Sequence, residues 1–262
     1  MDLGLANRTF VVTGGSSGVG LATVGALLDE GARVATCGRD ADRLATAAER
    51  LGAGRDRLLT SVCDVRDAEA VHGFVGRAAE EFGGIDGLVN NAGSSRMKRL
   101  HECTAEDWRD ELELKFAGVL NPLHAARAHL AASGAASLVN INAVLAKQPE
   151  TRLITTSAAR AGVLNLTKSL SAELAADGIR VNSVSLGLID TGQWTRRHQA
   201  ADSGMPYEEW QTELAASRGI ALGRLGRAEE VAYAVLTLLS PRASYITGTS
   251  IDVCGGVGRS IL

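Results

Sequence analysis

No uninterrupted apolar run in this 262-residue chain reaches the roughly 18 residues that a membrane-spanning helix needs. The opening stretch, Met1-Asp2-Leu3-Gly4-Leu5-Ala6, lacks the basic segment and apolar core of a secretion signal, so none is expected. Cysteine is sparse, and Cys37, Cys63, Cys103 and Cys254 are scattered without C-x-x-C spacing. That pattern argues against a disulfide framework and fits a reducing, cytoplasmic setting. His72, His101, His124 and His129 show no consistent ligand spacing, and the i, i+5 separation of His124 and His129 puts them on different helix faces. No metal site is expected. A formal net charge of −3 gives no general attraction to nucleic acid or to anionic membranes. Repeats, low-complexity tracts and proline-rich linkers are also missing, which leaves one domain over 1–262.

What is present is an alternation of short apolar runs and Ala-rich helical segments. The runs Thr9 to Thr13, Arg33 to Cys37, Arg57 to Val62, Gly87 to Asn90, Leu138 to Asn142, Arg180 to Ser185 and Ser250 to Val253 read as strands. Between them, residues such as Leu21, Val24, Leu27 and Leu28 recur at helical spacing. The pattern predicts an α/β fold: a Rossmann-type, doubly wound parallel sheet of about seven strands with helices on both faces. Only the stretch 192–222 breaks the rhythm. It gathers Trp194, Tyr207 and Trp210 in a chain that is 4% aromatic, together with Arg196, Arg197, His198 and Pro206. We read it as a substrate lid inserted before the last helix–strand unit.

The first strand runs into Thr13-Gly14-Gly15-Ser16-Ser17-Gly18-Val19-Gly20 and then into a helix. A turn that lets backbone amides approach a pyrophosphate cannot carry a Cβ there, and Gly14, Gly18 and Gly20 meet that need. Ser16, Ser17 and Val19 complete the turn. After the second strand comes Cys37-Gly38-Arg39, with no acid before Asp40. A carboxylate there would bind a ribose 2′-hydroxyl and repel a 2′-phosphate. Arg39 suits a phosphate, or is a solvated surface arginine.

Further along stand Asn90-Asn91-Ala92-Gly93 and then Asn182-Ser183-Val184-Ser185-Leu186-Gly187. The order and spacing of these motifs resemble the short-chain dehydrogenase/reductase family over nearly the whole chain. The resemblance implies a nicotinamide cofactor, and the Gly38-Arg39 pair suggests NADP(H) over NAD(H). NADP-selective relatives often carry a second basic residue in the glycine turn, where this chain has Ser17. The family pattern assigns Asp64 and Val65 to adenine, and Asn91, Ala92 and Gly93 to the adenine-side ribose. Gly187, Ile189 and Thr191 fall in the segment that meets the nicotinamide carboxamide, although Leu186 stands where proline is usual. Relatives build subunit contacts with the helix Arg227 to Leu239 and the final strand, so a homotetramer or homodimer is implied. Cys254 sits where aspartate is commoner.

The catalytic half departs from the pattern. Family members use Asn, Ser, Tyr and Lys, and this chain has Lys115, Ala143, Thr156 and Arg160 at those positions. A threonine hydroxyl is far less acidic than a phenol, and an arginine does not release a proton. Arg160 keeps the charge and donors to hold ribose hydroxyls. Lys115 alone adds acid–base capacity, since burial beside Arg160 would lower its pKa toward a useful value. Two readings stand: Lys115 donates the proton, or it only pairs with Glu111 at i−4. Asn142, Glu150 and Trp194 are candidates to contact substrate. Arg196, Arg197 and His198 either clamp an acidic one or are plain surface charge, and Trp194 and Trp210 either close over an apolar or ring substrate or pack the lid against the body. Three functions remain open: a carbonyl/alcohol oxidoreductase, a non-redox lyase, isomerase or dehydratase, and a nucleotide-binding sensor.

Overall fold

The computed structural model describes residues 2–202 and 204–260. Met1, Ser203, Ile261 and Leu262, which the single-domain and lid expectations include, lie outside them. The chain runs β1 (Thr9–Thr13), α1 (Gly18–Asp29), β2 (Arg33–Gly38), α2 (Ala41–Leu51), β3 (Leu58–Val62), α3 (Ala68–Phe82), β4 (Gly87–Asn90), α4 (Ala105–Ser133), β5 (Ser137–Ala143), α5 (Ile154–Glu173), β6 (Arg180–Leu186). It continues β7 (Ile189–Asp190), α6 (Gly192–Ala201), α7 (Tyr207–Ser217), β8 (Gly226–Arg227), α8 (Ala228–Leu239), β9 (Ser250–Val253).

Seven strands form one sheet in the order β3-β2-β1-β4-β5-β6-β9, every neighbouring pair parallel. The expected sheet is therefore present. A parallel strand is covered on both faces, and β1 accordingly reads TFVVT with all five residues buried. One core layer joins Phe74 of α3, Leu130 of α4 and Val163 of α5 to Leu88 and Leu138 of the sheet. The opposite layer joins Leu27 of α1 and Val235 of α8 to Phe10, Val139 and Val184.

Local sequence marks the helix ends. Asp40 accepts a hydrogen bond from Arg43 N at α2, and Asp67 accepts from Glu69 N and Ala70 N at α3. Thr104 and Asp107 form a reciprocal capping box at α4. Helix α1 differs, because Ser17 at its N-cap makes no side-chain cap bond.

The strand order turns back between β1 and β4, so the loops at their C-terminal ends diverge and leave a crevice. Region 192–222 departs from the regular alternation, as expected. It folds as α6 and α7, whose base is tied by the two-residue parallel pair β7–β8. That pair was not foreseen, being too short to leave a periodicity. Among the described residues no helix is long and apolar enough to cross a membrane, and no group of His, Cys, Asp and Glu could hold a metal ion.

A buried polar chain braces the sheet beneath the crevice. Asn90 Nδ2 donates to Asn140 Oδ1 at 2.9 Å, and Asn140 Nδ2 donates to Thr167 Oγ1 at 2.9 Å. Replacing Asn140 with Ala strands the Asn90 amide in the interior and leaves the Thr167 hydroxyl with only its bond to Val163 O. We expect a loss of about 3 kcal/mol, read as a lower urea midpoint with unchanged m-value.

Candidate active site

The turn after β1 is held against the loop after β4. Asn91 Nδ2 donates to Thr13 O at 2.9 Å and Gly14 O at 3.1 Å, while Thr13 Oγ1 accepts from Asn91 N and Ala92 N, both at 3.0 Å. The backbones approach so closely that a Cβ on Gly14 would lie 2.9 Å from Ala92 Cα, at a left-handed φ of +72°. A Cβ on Gly20 would lie 2.3 Å from Gly14 O. With Ser17 not capping, the first amides of α1 face the crevice unsatisfied, an arrangement suited to phosphate oxygens.

A cleft of about 760 Å³ runs from this turn across the C-terminal ends of the strands. It is lined by every cofactor-site residue expected from the sequence except Gly20: Gly14 and Ser16 to Val19 at the glycine turn, Arg39, Asp64 and Val65 at one end, Asn91 to Gly93 along the middle, and Arg160, Gly187, Ile189 and Thr191 toward the other end. Gly20 acts instead as the residue whose missing side chain permits the turn. Thr191 is the N-cap of α6 yet makes no side-chain cap bond.

At the β2–β3 end, Arg39 is exposed and has no acidic residue before it on the strand. Arg43, which the motif reading missed, also lines the cleft, and its Nη2 donates to Ser17 Oγ at 2.9 Å. The positive charge that relatives carry in the glycine turn is thus supplied from α2. The available signal was the i, i+4 spacing of Arg39 and Arg43 at the start of that helix. The Asp64 carboxyl is held below the usual range by the Arg66 guanidinium, 2.7 Å away. Cys37 and Cys63, far apart in sequence, hydrogen-bond to each other here, and that contact with burial pushes the Cys37 thiol up.

At the other end, Thr156 is fully buried, and its hydroxyl has no protein partner although the residue lines the cleft. Arg160 Nη1 donates to Ile141 O at 3.4 Å, and its Nε is unpartnered. Asn142, expected to contact substrate, lines the cleft with its amide already committed: Nδ2 donates to Arg160 O at 3.1 Å, and Oδ1 accepts from Ala143 N at 2.9 Å. Lys115 lies behind this wall, 7% exposed. Its Nζ donates to Ser94 O at 2.5 Å and pairs with Glu111 at 3.1 Å. A separate cavity of about 20 Å³ is walled by Lys115, Asn142 and Arg160 among others. Burial first, and Arg160 second, lower the Lys115 pKa to about 8 against the pull of Glu111. Both features weighed from sequence, the i−4 ion pair and the depressed lysine, coexist.

At the lid, Trp194, Arg196, Arg197, Glu150 and Arg218 line the cleft. His198 instead bonds Met205 O at 2.8 Å and packs against Tyr207 and Trp210. Trp210 lies outside the lining and stacks on Tyr207.

This fold and cleft define a dinucleotide-binding α/β protein of the dehydrogenase class. A family profile described as enoyl-(acyl carrier protein) reductase matches residues 14–258. A cis-4-hydroxycyclohexanecarboxylate dehydrogenase of Sinomonas cyclohexanicum is 39% identical, with 98% of each chain covered. An NADPH-bound short chain oxidoreductase of Pseudomonas aeruginosa PAO1 containing an atypical catalytic center is 46% identical, with a TM-score of 0.91 and 97% of each chain covered. L-Sorbose reductase of Gluconobacter frateurii, complexed with NADPH and L-sorbose, is 30% identical, with a TM-score of 0.93 over 100% of each chain. The chain belongs to the short-chain dehydrogenase/reductase family and is an oxidoreductase.

Gly20→Ala places a methyl group against a backbone carbonyl that cannot yield. Nicotinamide nucleotide affinity should fall at least about ten-fold, equivalent to ~1.4 kcal/mol, in a fluorescence titration.

Proposed function

We propose that this chain is an NADP(H)-dependent oxidoreductase of a small carbonyl/alcohol substrate, in which Lys115 replaces the missing phenol as proton source. The observation that carries the proposal is a lysine buried behind the cleft wall, paired with Glu111 and sharing a small cavity with Arg160, beneath a cleft lined by the expected nucleotide-site residues. NADPH is favoured over NADH because Arg43 reaches Ser17 and Arg39 lines the same cleft, with no carboxylate at the end of β2 to repel a 2′-phosphate.

When bound, the nicotinamide supplies a hydride to the carbonyl carbon. The chain must hold the substrate and deliver one proton to its oxygen. Thr156 has a hydroxyl free to donate to that oxygen, and Arg160 has donors for the nicotinamide ribose. The small cavity is large enough for one water and has Lys115, Asn142 and Arg160 in its wall, so a water there passes the Lys115 proton through. Arg160 keeps Lys115 from holding its proton too tightly, while Glu111 keeps it charged at neutral pH. The helices α6 and α7 act as the substrate lid, with Trp194 and Glu150 at the substrate. Exposed Tyr233 and Tyr245 fit self-association as a dimer or tetramer.

Titration with NADPH and NADH, followed by nicotinamide fluorescence, tests the cofactor assignment. Arg39→Ala should weaken NADPH about ten-fold or more and leave NADH nearly unchanged. Equal binding of both nucleotides by the wild-type protein would refute the preference.

For the proton, reduction requires Lys115 protonated, so kcat should fall as pH rises through about 8. Lys115→Arg keeps the charge beside Glu111 but cannot release the proton. It should lower kcat about 100-fold and erase that pH limb while NADPH still binds. An unchanged pH profile in Lys115→Arg would remove Lys115 from the chemistry.

A further inference from the structure

The outer end of the cleft has an excess of positive charge that no protein group absorbs. Arg196, Arg197 and Arg218 line it, and Glu150 is the carboxylate among the lining residues there. Glu150 is taken up by Arg218, at 2.8 Å. Arg197 is left half-buried, its guanidinium 4.5 Å from the Trp194 ring centroid, without a hydrogen-bonded carboxylate among the described residues. Arg218 and Arg152 act on it as like charges, and Glu150, which Arg218 already holds, acts on it as the opposing charge. A guanidinium stacked on an indole keeps its in-plane donors free while the ring fixes its plane. The arrangement is a planar fork, oriented in advance and short of an anion.

Its place along the lid defines what it can reach. Helix α6 starts at Gly192, directly after Thr191 of the nicotinamide-facing segment, and Arg197 lies five residues on, a rise of about 8 Å. A small ring bearing two substituents spans a comparable distance. Met97, Leu145, Leu153, Leu188 and Trp194 supply apolar surface to the cleft lining.

We propose that Arg197, flanked by Arg218, is a carboxylate-binding subsite, and that the substrate is a carbonyl or alcohol on a small apolar, ring-sized skeleton bearing a carboxylate at its far end. The inference rests on the oxidoreductase reading for the reacting end, while the anion site stands on its own geometry. A carboxylate matches the one fork that is half-buried against Trp194, since Arg196 beside it is exposed. A phosphate ester would call on Arg218 as well, which Glu150 already occupies.

The test pairs turnover with binding that needs no turnover. Cyclohexanecarboxylate, cyclohexanecarboxamide and cyclohexyl phosphate are titrated against the NADPH-loaded protein by tryptophan fluorescence, and 4-oxocyclohexanecarboxylate and 4-methylcyclohexanone are compared as substrates. We expect the acid to bind at least about ten-fold more tightly than the amide, and the keto acid to have the lower KM by a similar factor. Arg197→Gln should abolish both preferences and Arg197→Lys should retain part of them, with NADPH titration confirming that each variant is folded. Equal affinity for acid and amide, or an Arg197→Gln variant that keeps the preference, overturns the subsite. Tighter binding of cyclohexyl phosphate than of the acid overturns the carboxylate assignment. Preferential binding of the acid with no reduction of any ketone upholds the subsite and refutes the oxidoreductase reading instead. Reduction of both ketones with equal KM does the reverse.

Discussion

The structure depends on the contact between the turn after β1 and the loop after β4, where two backbones meet too closely for side chains. Asn91 serves both sides of it, with its amide on Thr13 O and Gly14 O and its own N–H on Thr13 Oγ1. Because the strand order reverses between β1 and β4, this is also where the sheet opens. Closing the turn sets the direction of α1, and leaving Ser17 out of the cap keeps the helix amides free for phosphate. A more stable, fully capped α1 would be a poorer binding site. The fold gives up a cap at the position where function needs bare donors.

The catalytic end rests on a different constraint, the management of two buried cations. Lys115 and Arg160 repel each other, and Glu111 is the carboxylate placed to offset them. The usual family pattern puts an uncharged Asn and a Lys at these positions, so the substitution has moved the titratable amine from α5 to α4 and fixed the charge on α5. Exchange at one position alone would unbalance the charge that Glu111 offsets. That interdependence explains why Glu111, one turn before Lys115 and itself buried, belongs to the same unit.

Much of this was legible in the sequence, for identifiable reasons. Continuous apolar runs of β-branched residues announce parallel strands, and all seven expected strand ranges needed at most an added residue at either end or the loss of one at the start. The sixth strand extends by a single residue to Leu186. The glycine turn was legible because its chemistry is local, and close approach tolerates only one residue type. What escaped was built by tertiary contact. Arg43 reaches Ser17 across the mouth of the cleft, and Arg218 meets Glu150 from 68 positions away. Asn142 reads as a polar residue near the chemistry, yet its amide is used to fasten α5 to β5. His198 and Trp210 read as substrate contacts beside Trp194, but helix geometry turns them toward Tyr207, away from the cleft. Sequence spacing places residues on an element, and only packing decides which way they face.

That packing explains how the α6–α7 segment is held in place. Helix α6 leaves the sheet at Thr191, and its root is pinned twice: by the β7–β8 pair and by Tyr207 Oη donating to Asp190 at 2.6 Å. His198 and Trp210 then lock α6 to α7 through ring contacts, with Trp194 at 6.2 Å from Trp210. The aromatic residues concentrated in this stretch thus divide their work. One indole faces the cleft and sets the plane of Arg197, while the others form a brace behind it. Because α6 begins directly after Thr191 and carries Arg197, any shift of this brace moves Arg197 and Thr191 together. The parts of the cleft that these two residues line are therefore coupled through one short helix.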